Sequence, residues 1–338
     1  MDLTKSYYNK LISNWLLTTL FLVYFMIVVG GLTRLTDSGL SITEWELFKG
    51  IFPPFTQEAW LQYFSLYKDI PQFKLVNPLM TLSEFKVIYY WEYFHRLLGR
   101  LIGLFYIVPL IFFTYKKALD KESIYIFYFI FFIILLQGAL GWYMVESGLI
   151  TNVSVSHYRL SLHLIMAFVI ISFLFWNYLN YNYGIKKIFF NFQNKIIKFL
   201  FVLILFQIIF GAFVSGLDAG LVYQTWPKMN LYYFPDDIQI ESFNIFYLFN
   251  EQSFVQFIHR TMAYLITIIV LYMGIKILYE KKSIFLKSYF TVFFSLIFQV
   301  ILGIFTLLSG LNIYLASLHQ ITSVILVFAV LNLNHKMS

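Results

Sequence analysis

Of the six histidines in this 338-residue chain, four come in matched pairs. His95-Arg96 returns as His259-Arg260, and Ser161-Leu162-His163 returns as Ser317-Leu318-His319. Each of the four lies toward the same end of a long apolar segment. Two imidazoles at matched depth on different helices supply what a six-coordinate haem iron needs, one axial nitrogen on each face of the ring. The chain has no cysteine, which removes disulfides, thiolate zinc sites, iron–sulfur clusters and covalently attached haem, and leaves metal chemistry to His and carboxylates. For any one of these residues the plainer alternative is a helix-packing donor. Four intramembrane histidines repeated in pairs weigh against it. His157 and His335 have no repeat partner and read as packing residues.

The neighbours of the histidines differ between the halves. Glu92 stands three residues before His95, so both project on one helix face. Its counterpart, three residues before His259, is Gln256, a neutral amide of the same shape. A carboxylate in low dielectric can act as acid or base or steady a developing cation, so the first half is expected to do chemistry and the second to hold a resident cofactor; the alternative is a structural glutamate bonded to a loop amide or to Arg96. Arg96 and Arg260, with Arg100 and Arg159 nearby, suit anionic haem propionates; the alternative is snorkelling to lipid phosphate. Four residues after each histidine stand Gly99, Ala167, Ala263 and Ser323, small enough for a flat macrocycle to lie alongside. Asp37 and Asp218, each two residues before a glycine, read as turn chemistry. Glu146 faces Leu308 in the repeat and is read as interfacial.

These residues must be positioned by membrane helices. The composition is 60% apolar and only 12% charged, against about 25% charged in a soluble domain. The apolar residues run in blocks rather than in the alternation of a barrel. Eight blocks of spanning length begin near Leu16, Ile88, Ile124, Ser161, Ile196, Phe254, Phe290 and Tyr314. The loops after the second, fourth and sixth carry Lys116, Lys117 and Lys121, then Lys186, Lys187 and Lys195, then Lys281, Lys282 and Lys287. Their excess of cations places those loops and both termini in the cytoplasm, and no cleavable signal is expected, which fits a bacterial inner membrane. Two long outer loops follow, over roughly 34–85 and 217–252. Within the first, Glu58–Leu66 is expected as a helix lying along the interface, and Thr81 with Glu84 forms a capping box opening the second span.

The repetition extends beyond the histidines. Gly30, Asp37, Gly39, Leu40 and Trp45 recur with identical spacing as Gly211, Asp218, Gly220, Leu221 and Trp226. Gln137, Gly141 and Ser147-Gly148-Leu149 recur in the same way as Gln299, Gly303 and Ser309-Gly310-Leu311. The order never changes, and the offset falls stepwise along the chain because the second half has shorter loops. Four spans per repeat return the chain to its starting side. The expected fold is an all-α polytopic membrane protein, with eight transmembrane helices as two pseudo-symmetric four-helix bundles in parallel repeat, divided as 1–185 and 186–338.

The segments GGLTRLTDSGLSITEW, EYFHRLLGRLIGL, SLHLIMA, FIHR and SLHQ, in this order, resemble the haem A synthase family over nearly the whole chain. The long first loop with PPFTQEAW resembles its proteobacterial and mitochondrial branch. The resemblance implies oxidation of the C8 methyl of haem O to a formyl group, giving haem A for cytochrome oxidase. It implies that His95, His163 and Arg96 receive haem O, that Glu92 is the catalytic carboxylate, and that His259 and His319, with Arg260, hold a haem B cofactor. The implied partners are a haem O synthase as donor, an electron acceptor and the lipid bilayer, with homo-oligomerisation left open. The cysteine pair that another branch carries in its outer loops is absent here. Two other readings compete. A di-haem b-type electron-transfer cytochrome predicts no substrate turnover. A transporter built from repeats predicts no haem, and would place its key histidines at the midplane rather than near one face. Nucleic acid is discounted, because the net charge of +7 sits in short loops between spans.

Overall fold

A computed structural model describes residues 3–44, 49–150, 152–187, 189, 194–238 and 248–338. Trp45, one of the repeat positions, lies outside the described residues. Among the described residues the chain is helical, without strands, and eight helices are long and apolar enough to cross a membrane. In chain order the helices are α1 (Leu3–Leu35), α2 (Gln57–Lys68), α3 (Pro71–Leu75), α4 (Leu82–Tyr115), α5 (Lys121–Leu149), α6 (His157–Tyr183), α7 (Lys195–Gly216), α8 (Gln252–Tyr279), α9 (Leu286–Leu308) and α10 (Ile313–Met337). All but the short α2 and α3 are candidate spans. α1 begins well before the apolar block near Leu16, because its polar amino-terminal residues continue the same helix.

The sequence accounts for several helix ends. At α4, the Thr81 side chain accepts from the Glu84 amide while the Glu84 carboxylate accepts from the Thr81 amide at 2.7 Å, the expected capping box. Asp120 and Asn194 cap α5 and α7 through their side-chain oxygens. Just past α1 and α7, Asp37 and Asp218 both adopt left-handed backbone, φ 50°, where a short polar side chain is tolerated.

The chain forms two compact units, residues 1–171 and 172–338. The boundary falls inside α6. From Ser172 onward its residues pack in the second unit, with Phe175 stacked on Phe328 at 4.3 Å and Trp176 edge-on to His335 at 5.0 Å. In the first unit, Trp15, Tyr106 and Phe127 close a buried aromatic knot between α1, α4 and α5. Large apolar side chains such as Phe21, Phe132 and Ile268 point outward, as they do on helices solvated by lipid.

α2 differs from expectation in what covers it. Its Trp60, Phe64 and Tyr67 face α4 and pack on Phe85 and Tyr89, so the aromatic stripe read as membrane-facing is buried in protein. Burial of Tyr67 raises its phenol above the ordinary value. Its hydroxyl donates to Gln72, whose amide reaches the Asp37 carbonyl at 3.0 Å and ties the outer loop to the end of α1.

Candidate functional site

Each of the four histidines rests on a glycine of the membrane-spanning helix before its own, in the same unit. A Cβ added at Gly30 of α1 would lie 2.8 Å from Cε1 of His95, and one at Gly141 of α5 would lie 3.1 Å from Cε1 of His163. In the second unit the corresponding distances are 3.2 Å from Gly211 to His259 and 2.9 Å from Gly303 to His319. Only a residue without a side chain lets the imidazole lie so close to the neighbouring backbone. The close surface beside each ring therefore comes from the preceding helix. Of the small residues four positions on, Gly99 faces the Cε of Met26, 3.4 Å from where its Cβ would be.

The rings meet in the expected pairs. His95 and His163 have ring centroids 6.5 Å apart, and so have His259 and His319. With metal–imidazole bonds of about 2.0–2.1 Å and roughly 1.1 Å from ring nitrogen to centroid, two imidazoles on opposite faces of one metal stand about 6.3 Å apart. Nδ1 of His95, His163 and His259 is buried without a hydrogen-bond partner. Among the described residues no group of three or more His, Cys, Asp or Glu is placed to hold a metal ion. The pairs therefore stand as two-ligand sets, and the residues present fit a macrocycle whose iron takes one imidazole on each side.

Three of the four histidines are also gripped by a glutamine. Gln137 Nε2 donates to the His163 carbonyl at 3.0 Å and lies 3.3 Å from its Nε2; Gln207 makes the same two contacts with His259. Gln299 Nε2 donates to the His319 carbonyl at 2.7 Å, and His319 Nδ1 donates to the Gln299 carbonyl at 3.1 Å. Gln207 escapes a search for paired repeats because its counterpart in the first half, four positions before Gly30, is Met26. A Gln-x-x-x-Gly spacing, present in α5, α7 and α9, is the signal that finds it.

Glu92 is almost wholly buried, at 3% exposure, and each of its oxygens is held. One accepts from Arg96 at 2.6 Å and 3.1 Å; the other accepts from the Ser41 hydroxyl at 2.7 Å and the Ile42 amide at 2.9 Å. Arg96 donates in turn to the Ile42 carbonyl at 2.9 Å. In the second unit the same loop position is Tyr223, whose carbonyl accepts from Gln256 at 3.0 Å and from Arg260 at 2.7 Å. The Glu-to-Gln change thus reverses the direction of one bond: a carboxylate receives a backbone amide, whereas an amide gives to a backbone carbonyl.

All four arginines singled out beside the histidines donate to backbone carbonyls. Besides Arg96 and Arg260, Arg100 reaches Gly50 at 3.0 Å, and Arg159 reaches Tyr143 at 2.6 Å while lying 3.8 Å over its ring. Arg96, Arg100 and Arg260 stitch the chain outside the spans to the helices that carry the histidines, whereas Arg159 joins α6 to α5. A cleft of about 210 Å³ opens beside Arg96, between Ile42 and Glu146, so Glu146 lies near the first site. In the second outer loop Tyr223 donates to Asp236 and Asp237, and its burial raises the phenol above its ordinary value. His157 and His335 are not brought into either pair.

The profile of the COX15-CtaA family, described as cytochrome oxidase assembly protein, matches residues 13–331. The heme A synthase of Pelagibacter ubique (strain HTCC1062) is 48% identical over 333 residues, 96% of each chain. Those of Rickettsia bellii (strain RML369-C) and Flavobacterium psychrophilum are 42% identical over 327 residues and 40% over 335. These alignments cover 96% and 98% of this chain, and 97% and 99% of the relatives. On identity of this level over nearly its whole length, the chain belongs to the haem A synthase family of cytochrome oxidase assembly proteins.

Proposed function

We propose that this multi-pass membrane protein is an oxidoreductase that takes haem O as substrate, oxidises its C8 methyl group to a formyl group and releases haem A for cytochrome oxidase. The observation that carries the reading is the 6.5 Å separation of imidazole rings, present in both units of a chain whose relatives are named heme A synthase. Residues 1–185 form the substrate half and residues 186–338 the cofactor half. His95 and His163 bind the haem O iron and Arg96 steadies the substrate's anionic edge. His259 and His319, with Arg260, hold haem B, which supplies a one-electron relay when bound.

Each hydroxylation exchanges one methyl hydrogen for a hydroxyl from water and releases two electrons and two protons. Two such steps give a gem-diol, which loses water to leave the formyl group. The sum consumes one water and delivers four electrons and four protons to an acceptor. Removing hydride or electrons from a ring methyl leaves positive charge on carbon, and Glu92 is the carboxylate nearest in sequence to the substrate histidines. Its grip by Arg96, Ser41 and the Ile42 amide fixes its direction before substrate arrives, which is how a preorganised charge lowers a barrier. Gln256 at the corresponding place in the second unit carries no charge, which suits a cofactor whose ring carbons are left unchanged.

The lysines that follow the second, fourth and sixth spans support cytoplasmic termini in a bacterial inner membrane, with both histidine pairs toward the outer face. A haem O synthase is the fitting donor of substrate. The test is to express the chain in cells that make haem O but no haem A, and to separate the extracted pigments by chromatography. Haem A in the extract is the expected result; haem B with unconverted haem O and no haem A would identify an electron-transfer cytochrome instead.

A further inference from the structure

The glutamines found beside three of the histidines are absent from the fourth. Glutamine stands one helical turn before the glycine seat at Gln137, Gln207 and Gln299, where residues four apart share a face. Before Gly30 the same place is Met26. His95 accordingly makes no side-chain hydrogen bond among the described residues, and its Nδ1 is buried without a partner. What holds its ring is van der Waals contact with Gly30, which has no direction. Met26 instead reaches toward Gly99, its Cε 3.4 Å from where a Cβ there would lie, and an unbranched, deformable methionine makes none of the directional bonds an amide makes.

We propose that Gln137 and Gln207 are positioning residues that fix His163 and His259, that the main-chain carbonyl of Gln299 holds the His319 ring, and that Met26 leaves His95 as the imidazole that lets go of iron. This rests on the reading of the pairs as haem sites and adds which ligand exchanges. A partner outside the metal's own ligands fixes the orientation of an imidazole, and losing it typically weakens metal binding about 10–100-fold. A resident cofactor needs both ligands held, as His259 and His319 are. A substrate has to enter and its product has to leave, which requires one ligand that swings. Two differences between the units, Met26 against Gln207 and Glu92 against Gln256, fall on the same histidine. The histidine that shares a helix face with the carboxylate is therefore the one that would open.

Carbon monoxide is the probe, because it binds ferrous haem only where an axial ligand departs. In the purified, reduced, haem-loaded protein one haem should react with carbon monoxide and the other should not. Met26→Gln, which copies the second unit, should slow that reaction about tenfold, while Met26→Leu leaves the rate as it was. Gln207→Met should make the second haem reactive; if that variant does not accumulate, Met26→Gln decides alone. A rate in Met26→Gln within twofold of the parent protein, or equal reactivity of both haems in the parent, overturns the proposal while leaving the function intact. A parent protein without Soret absorption overturns the haem reading itself.

Discussion

Arg96 and Glu92 stand one turn apart on α4 with nitrogen and oxygen 2.6 Å apart, and both side chains are largely buried. Removing one partner of such a pair strands the other's charge, at a cost of about 3–5 kcal/mol. Arg96→Leu should therefore lower the unfolding temperature of the purified protein sharply. Glu92→Gln is a milder change, since the second unit already holds Gln256 at the corresponding place beside Arg260. That variant should keep its haem and lose conversion of haem O to haem A. Full haem A yield from Glu92→Gln would take the carboxylate out of the reaction.

Glycine to alanine inside a helix normally stabilises by about 1 kcal/mol. At Gly30 and Gly303 the added methyl would come within 2.8 Å and 2.9 Å of an imidazole carbon, so the ring has to move. Gly30→Ala is expected to lose haem from the first site and Gly303→Ala from the second, read as absorbance per protein. Gly138→Ala, with nothing within 4 Å of the added carbon, is the control and should retain both haems. Unchanged spectra in all three would mean that the close approach does not set ligation.

The two histidine pairs should be separable by haem identity. His259→Ala is expected to lose bound haem B and with it activity. His95→Ala should keep haem B and fail to retain haem O. Pigment stoichiometry in each purified variant checks the assignment, and the reverse pattern would exchange the roles of the two units.

His335 is 2% exposed, bonds Asn180 through Nε2 at 3.0 Å, and accepts at its carbonyl from the Lys187 amine. Trp176 packs against its ring and donates to the Lys187 carbonyl at 2.8 Å. This is a structural latch at the end of α6 and α10. His335→Ala should cost about 1–3 kcal/mol in stability, from lost packing and the lost bond to Asn180, and should leave haem content unchanged. Loss of one haem in that variant would make the residue a ligand.

Much of this protein was legible without coordinates, for a reason particular to membranes. A span is a local property, about 20 apolar residues in a row, so the eight helices could be counted from composition alone. The capping box at Thr81 and Glu84 and the placement of Glu92 and Arg96 on one helix face depend on residues three or four apart, which helix geometry fixes. The four histidines and the Glu92/Gln256 difference came from counting offsets between two stretches of one chain. What needed the tertiary structure joins residues that no local period relates: the seat of His95 on Gly30, the 6.5 Å ring spacing, the Ser41 and Ile42 bonds to Glu92, and the burial of α2 against α4. Those depend on how far one helix slides and turns against the next. That register is decided by close packing summed over the whole interface, in which no single residue type announces its partner.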